Sequence, residues 1–338
     1  MRFNARRLFL DSRYLTPSEE TAAPGTATRR AWMKSSGAAL AAFALQPVLG
    51  LTQPAAPTAA ATPVRARLSL NENPFGCSPL VVEAIRNDLG ALNRYTEHAA
   101  EALAAQIAAR ENVAPGQIIL GEILPALGTQ LGLAGGPGGE FIYSTPGFTD
   151  LVAAAEQTGG TAIGIPLNDR LENDLAAITA RITPRTRAAY IVNPHNPSGT
   201  VTDAAALKSF ARDISRHTLV IVDEAYLEYT DTFADRTLAP LVREGHNVAV
   251  FRTFGKIYGL AALQFGYTVA PPGLADTLHR QGIGATHGLN QLAVTAASAA
   301  LRDMRFVAET RRKIAVERVR WNAALDGLGL RHSESYGS

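Results

Sequence analysis

The chain has 338 residues, 46% hydrophobic and 18% charged, enough for a large core in one big domain with a smaller companion. A net charge of +2, with both signs mixed along the chain, gives no basic stripe for nucleic acid and no acidic tail, so a small-molecule partner is expected. The single Cys77 excludes an internal disulfide and a thiolate metal cage, and the seven histidines show no paired ligand spacing, so no metal is expected.

In chain order, residues 1–64 read as a leader. Arg29-Arg30 and Lys34 precede an uncharged apolar run from Gly37 to Leu51 and then a Pro/Ala/Thr-rich stretch, the layout of a secretory signal. The run falls short of the roughly 20 apolar residues that span a bilayer, so no stable membrane span is expected once the signal is removed. Thr28-Arg29-Arg30-Ala31-Trp32-Met33-Lys34 resembles the twin-arginine signal that exports folded, cofactor-loaded proteins. The expectation is a periplasmic protein; the alternative is an N-terminal core helix behind a disordered arm in a cytoplasmic one.

From about Leu68 onward, strand-like runs alternate with helical patterns. "QIIL" (117–120), "GEFIYS" (139–144), "TAIGIPL" (161–167), "AAYIVN" (188–193), "TLVIVDEA" (218–225), "NVAVFRTF" (247–254) and "FGYTVAP" (265–271) are rich in β-branched and aromatic residues. Helical patterns occupy 79–92, 99–112, 148–159 and 203–217, and 290–330 reads as one long Ala- and Arg-rich helical stretch. This alternation predicts an α/β fold, a mainly parallel mixed sheet sandwiched by helices. The expected boundaries are an arm and first helix over 65–95, a large domain over 96–285 and the start of a small α+β C-terminal domain over 286–338. In such sheets the ligand sits beyond the carboxyl ends of the strands.

Three strands end in chemically loaded residues: Asn196 after "YIVNPH", Asp223 after "LVIV" and Lys256 after "VAVFRTFG". Singly, each has a plain structural reading as a turn former, a helix cap or a solvated lysine. Together they suit pyridoxal 5′-phosphate (PLP). A buried Asp223 would keep the ring nitrogen protonated, and a desolvated Lys256 amine would react with the aldehyde and act as base. Asn196 and Tyr226 can hydrogen-bond the phenolic oxygen. Phe148 stands where an aromatic stacks on the ring, or serves as a core residue.

"LNENPFG" (70–76), "NRYTE" (93–97), "STPGFTD" (144–150), "NPHNPSG" (193–199), "VDEAYLEY" (222–229) and "RTFGKIYGLA" (252–261) resemble, in order and spacing, the class I/II aminotransferases of PLP fold type I. The likeness is strongest to the histidinol-phosphate aminotransferase branch. It implies transamination between an amino acid or related amine, histidinol-phosphate-like or aromatic, and a 2-oxo acid such as 2-oxoglutarate. It also implies a homodimer in which Tyr95 reaches the partner's cofactor phosphate, with a loop-closing aromatic as its alternative role. Asn71 and Asn73 would lie on the substrate side of an N-terminal arm. Gly121 and Glu122, at the tip of "LGEILPALG" (120–128), and Thr253 would stand at the phosphate.

The sequence departs from the family in three places. Gly255 and Gln264 stand where a Ser and an Arg often hold the phosphate, and the glycine-rich loop is compressed, so altered cofactor retention is expected. The family's substrate-carboxylate Arg lies in the small domain beyond Ser338, which suggests a fragment or a different specificity. Two rival functions share these motifs: a PLP-dependent decarboxylase or lyase, and a non-catalytic PLP-binding protein.

Overall fold

The computed structural model describes residues 69–337, all of which fall in one compact unit, Arg67–Ser338. The leader expected over 1–64 lies outside the described residues.

After the arm come α1 (Pro79–Asp88) and α2 (Glu97–Glu111), then β1 (Ile118–Leu120), α3 (Leu124–Gly135), β2 (Glu140–Thr145), α4 (Asp150–Gln157) and β3 (Thr161–Pro166). The chain continues through α5 (Leu175–Ala180), β4 (Thr186–Val192), α6 (Ala204–Ile214), β5 (Leu219–Asp223) and the short helices α7 (Phe233–Arg236) and α8 (Ala239–Arg243). It closes with β6 (Val248–Thr253), β7 (Gly266–Val269), α9 (Pro272–Arg280), α10 (Gln291–Ala300) and α11 (Met304–Gly327).

The strands form a seven-stranded sheet in the order β1-β7-β6-β5-β4-β2-β3. Strands β3, β2, β4, β5 and β6 run parallel, while β7 is antiparallel to both β6 and β1. The fold is the mainly parallel mixed α/β sheet expected from the sequence. The central strands β4, β5, β6 and β7 are buried along almost their whole length, because helices cover both faces.

Side-chain alternation divides the core in two. Ala189, Ile191, Val220, Val222, Val248 and Val250 pack toward α1, α2, α6 and α10. Ala188, Tyr190, Val192, Ile221, Ala249 and Phe251 pack toward α3, α4 and α9. Asp223 and Thr253 continue this second face by one more step of two residues, so both point to the α3/α4 side where the strands end.

Helix starts are chemically marked. Ser78, Asp203 and Asn290 cap α1, α6 and α10, accepting backbone N–H bonds from Leu80, Ala206 and Ala293. The stretch expected to be a single helix over 290–330 is two. Asp303 accepts the Phe306 N–H at 3.1 Å and so starts α11, and its other oxygen accepts from Ser78 Oγ at 2.5 Å. A short acid that can bond the backbone locally favours such a break over an uninterrupted helix.

Helices α3 and α4 touch almost backbone to backbone through Gly128 and Gly132. A Cβ on Gly128 would overlap the Leu151 carbonyl, and one on Gly132 would meet Thr158 Oγ1 and the Ala155 carbonyl. Gly128→Ala is therefore expected to destabilise the fold by about 1–3 kcal/mol, despite alanine's better helix propensity. The check is a lower midpoint in urea unfolding.

Candidate active site

At the carboxyl ends of β4, β5 and β6 the chain leaves a cavity of about 530 Å³, within the range that holds a small cofactor and substrate. Lys256, Asp223, Asn196, Tyr226, Phe148, Glu122, Thr253 and Asn71 all line it. The sequence places these residues far apart, and the parallel sheet brings them to one edge.

Asn196 is positioned by a tightly bonded turn. Asn193 receives its side-chain bond from the Thr202 N–H at 2.9 Å and donates its own N–H to the Asp223 carbonyl at 2.9 Å. His195 N–H bonds the Thr200 carbonyl at 2.9 Å, and Gly199 N–H bonds the His195 carbonyl at 2.7 Å. Gly199 (φ 71°) takes the left-handed conformation open to glycine. The prolines cannot extend a helix here, so Asn196 stays at the rim of the cavity.

Asp223 is 2% exposed. Its Oδ2 accepts from Tyr190 Oη at 2.7 Å and its Oδ1 from the Ala225 N–H at 3.0 Å. Burial pushes its carboxyl up to about 6; the Tyr190 hydroxyl, the Ala225 N–H and the Lys256 charge pull the other way. A buried carboxylate with both oxygens oriented can hold a proton on a partner cation, since that cation relieves the cost of burying its charge.

Lys256 is half-buried. Its Nζ donates to the Leu70 carbonyl at 3.0 Å and stands 5.6 Å from the centre of the Tyr226 ring. Burial lowers its pKa, and Glu122, Asp223 and Glu72 partly restore it. The net lowering enlarges the neutral, nucleophilic fraction of the amine. Leu70 (φ 66°) and Asn71 (φ 51°) both adopt left-handed backbone, and that geometry turns the Leu70 carbonyl toward the lysine. Asn71 Nδ2 donates to Tyr226 Oη at 3.1 Å.

Three of the expected site residues lie outside the cavity lining, and for Tyr95 this agrees with the role expected of it at a partner's site. Asn73 is buried, with Nδ2 donating to the Ile257 carbonyl at 2.8 Å and Oδ1 accepting from the Phe75 N–H at 3.0 Å; it folds the arm and does not line the cavity. Tyr95 is 85% exposed and also outside the cavity lining. Gly121 (φ 113°) bonds its N–H to the Gly266 carbonyl at 2.9 Å and turns the chain so that Glu122 enters the cavity.

The structure adds residues that sequence reasoning missed. Tyr190 lies on the same face of β4 as Val192, beside Asp223 on the neighbouring strand. An interior tyrosine hydroxyl needs a partner, which was the available signal; the register that supplies it is tertiary. Asp150 at the start of α4, Leu124 and Pro125 at the start of α3, and Ala261 also line the cavity.

The donor set fits PLP at the ring. Asp223 would serve the ring nitrogen, Lys256 the aldehyde, and Asn196 and Tyr226 the phenolic oxygen, while Phe148, Val192 and Ala225 line the cavity as apolar walls. At the phosphate the fit rests on neutral donors: the Thr253 hydroxyl and the start of α3, with Gln264 in place of a cation. Among the described residues lining the cavity, Lys256 carries the sole positive charge.

Comparison with known proteins agrees with this chemistry. The chain matches the family "Aminotransferase class I and II" over residues 66–337. It is 40% identical over 274 residues to a histidinol-phosphate aminotransferase of Limosilactobacillus fermentum, covering 80% of this chain and 75% of that one. It is 36% identical over 251 residues to an aromatic amino acid aminotransferase of Streptomyces avermitilis, covering 74% and 69%. Among solved structures, the histidinol-phosphate aminotransferase from Sinorhizobium meliloti in complex with PLP superposes with a TM-score of 0.73 at 30% identity, covering 81% of this chain and 74% of that one. The chain belongs to the class I and II aminotransferases, as a PLP-dependent enzyme of fold type I.

Proposed function

We propose that this aminotransferase moves an amino group from a histidinol-phosphate-like or aromatic amino donor to a 2-oxo acid such as 2-oxoglutarate. The observation that carries the reading is the convergence of the Lys256 amine, the Asp223 carboxyl, the Asn196 amide and the Tyr226 hydroxyl on one cavity. The kinship with histidinol-phosphate and aromatic amino acid aminotransferases supports the donor class.

When bound, PLP supplies an electron sink for the pair released at the donor's α-carbon. The residues of this chain do the rest. Lys256 would take the proton from the donor's α-carbon and hand it on across the bound group, and the lowering of its pKa by burial suits it to act as a base. Asp223, oriented by Tyr190 and the Ala225 N–H, holds the ring proton that keeps the sink deep. Asn196 and Tyr226 would hold the bound ring in place through its phenolic oxygen. The apolar walls exclude water, which strengthens each of these interactions.

Purified protein incubated with PLP and a panel of amino donors, with and without 2-oxoglutarate, tests the reading. Glutamate formed only when both donor and acceptor are present is the expected result. Carbon dioxide or an elimination product appearing without an acceptor would overturn it in favour of a decarboxylase or lyase.

We further propose a homodimer in which Tyr95, 85% exposed on the single chain, meets the partner's site; sedimentation of the purified chain checks this. We also propose twin-arginine export, since Arg29-Arg30 precede an apolar run. Loss of the protein from the periplasmic fraction when both arginines are changed to Lys is the expected outcome.

A further inference from the structure

We infer that Glu122 receives the cofactor's phosphate as a neutral acid, donating its O–H to a phosphate oxygen, so that cofactor binding takes up a proton. This rests on the reading of the cavity as a PLP site.

The order of strands assigns the flanks. A pyridoxal ring carries its nitrogen opposite the carbon that bears the aldehyde, with the phenolic oxygen on one flank and the phosphate arm on the other. Along the sheet edge, Asn196 follows β4, Asp223 ends β5, Thr253 ends β6, and Glu122 follows β1 beyond β7. With Asp223 at the ring nitrogen and Lys256 at the aldehyde, Asn196 and Tyr226 take the phenolic flank. The phosphate then lies on the flank of Thr253, Gln264 and Glu122.

That flank holds an acid in place of a cation. Thr253 Oγ1 donates to Glu122 Oε1, and the Gly255 N–H donates to Thr253 Oγ1 at 2.9 Å, so the hydroxyl's own hydrogen is spent on the carboxylate. Gly266 beside it leaves room: a Cβ there would come within 3.3 Å of Glu122 Oε1. Every charged group facing Glu122 bears on its ionisation. Asp223 from β5 and Asp150 from α4 repel its charge, and Lys256 from the loop after β6 favours it. Burial, the largest influence, raises its pKa to about 7, with the Thr253 hydroxyl opposing. Glu122 is solvent-exposed along the open cleft, so the surrounding protein desolvates its carboxyl only in part, and an occupant that expels this water strengthens the preference for the neutral form.

A phosphate monoester carries close to two negative charges at neutral pH. Beside an ionised Glu122 it would meet a like charge, with only the Lys256 amine, bonded to the Leu70 carbonyl, to offset it. Protonating a carboxyl that titrates near 7 costs about tenfold in affinity for each pH unit above that value, whereas the protonated form converts a repulsion into a charge-assisted hydrogen bond. It also frees Thr253 Oγ1 to turn its hydrogen toward the phosphate.

The test uses the full chain stripped of cofactor, with pyridoxamine 5′-phosphate and pyridoxamine as probes, neither of which can form an imine with Lys256. Isothermal titration between pH 7 and 9, in two buffers of different ionisation heat, gives Kd and proton uptake. For the wild type, Kd of the phosphate ester is expected to rise about tenfold from pH 8 to 9, with close to one proton taken up. Pyridoxamine, which shares every other titrating group, lacks this slope. E122Q removes both the slope and the uptake and binds the ester more tightly than wild type at pH 9. A flat wild-type profile without proton uptake, or a slope that survives in E122Q, overturns the inference while leaving the site assignment intact. Failure of the wild type to bind either probe at any pH would overturn both.

Discussion

Lys256→Ala is expected to lower transamination by about 10⁴-fold or more, because one side chain both forms the link to the cofactor and moves the proton at the donor α-carbon. The measurement is steady-state formation of the 2-oxo product at saturating donor and acceptor. The variant should still bind pyridoxamine 5′-phosphate, since Asp223, Asn196, Tyr226 and Thr253 remain on the cavity wall. That second readout separates loss of chemistry from loss of the site. Undiminished turnover in Lys256→Ala would refute the catalytic assignment. Removing the ammonium also releases the Leu70 carbonyl from its 3.0 Å bond, so the arm over the cavity is expected to lose protection against limited proteolysis.

The largest effect on stability is expected at Arg252, the most voluminous fully buried side chain of the described residues. Its five N–H groups are all engaged. Nε and Nη2 donate to Glu224 Oε2 at 3.1 and 2.9 Å, Nη2 also to Thr237 Oγ1 at 2.7 Å, and Nη1 to Glu111 Oε1 at 2.5 Å and Tyr267 Oη at 3.1 Å. The guanidinium also lies 4.6 Å from the centre of the Phe233 ring. Nearby Glu228 is buried as well, and burial raises it to about 7, so at neutral pH it is only about half ionised. Arg252→Met leaves Glu111 and Glu224 buried without their cation, a loss of about 3–5 kcal/mol at pH 7 in denaturant unfolding.

The pH dependence of that loss has a definite sign. Without Arg252, Glu224, whose carboxyl burial already pushes toward the neutral form, titrates in the folded state above its unfolded value of about 4.3. A folded pKa raised above the unfolded one destabilises as pH rises through the interval between them. The deficit of Arg252→Met against wild type should therefore be smallest near pH 4 and grow toward neutrality. A deficit independent of pH would show that lost packing, and not stranded charge, is the cause.

These two residues show what was legible before folding. Lys256 is visible in "RTFGKIYGLA" because an amine in that pattern, together with Asn196 and Asp223 at other strand ends, has one economical chemical reading. Arg252 sits four residues earlier in the same quoted stretch, and a charge inside the otherwise apolar "VAVF" strand was a signal that a buried partner exists. Its partners could not be named, because Glu111 ends a helix far upstream. Glu224, next to Asp223 in the sequence, is committed to Arg252 and to the Thr237 hydroxyl and Leu238 N–H. The same holds in the arm: "LNENPFG" marks it, yet only the folded chain distinguishes Asn71, which reaches Tyr226, from Asn73, which holds the Ile257 carbonyl.

The amino-acid order by itself determined the alternation of strands and helices, the residues that end three strands and the family kinship, because these follow from local periodicity, turn chemistry and motif spacing along one dimension. The tertiary structure decided the rest: the placing of Tyr190 under Asp223, the closure of acceptors around the five donors of Arg252, the division of the last helical stretch at Asp303, and an acid on the flank where a phosphate would go. Each of those depends on strand register and on distances between segments remote in sequence, and such pairings are selected by packing and by the cost of burying an unpartnered charge, quantities that no short window of residues contains.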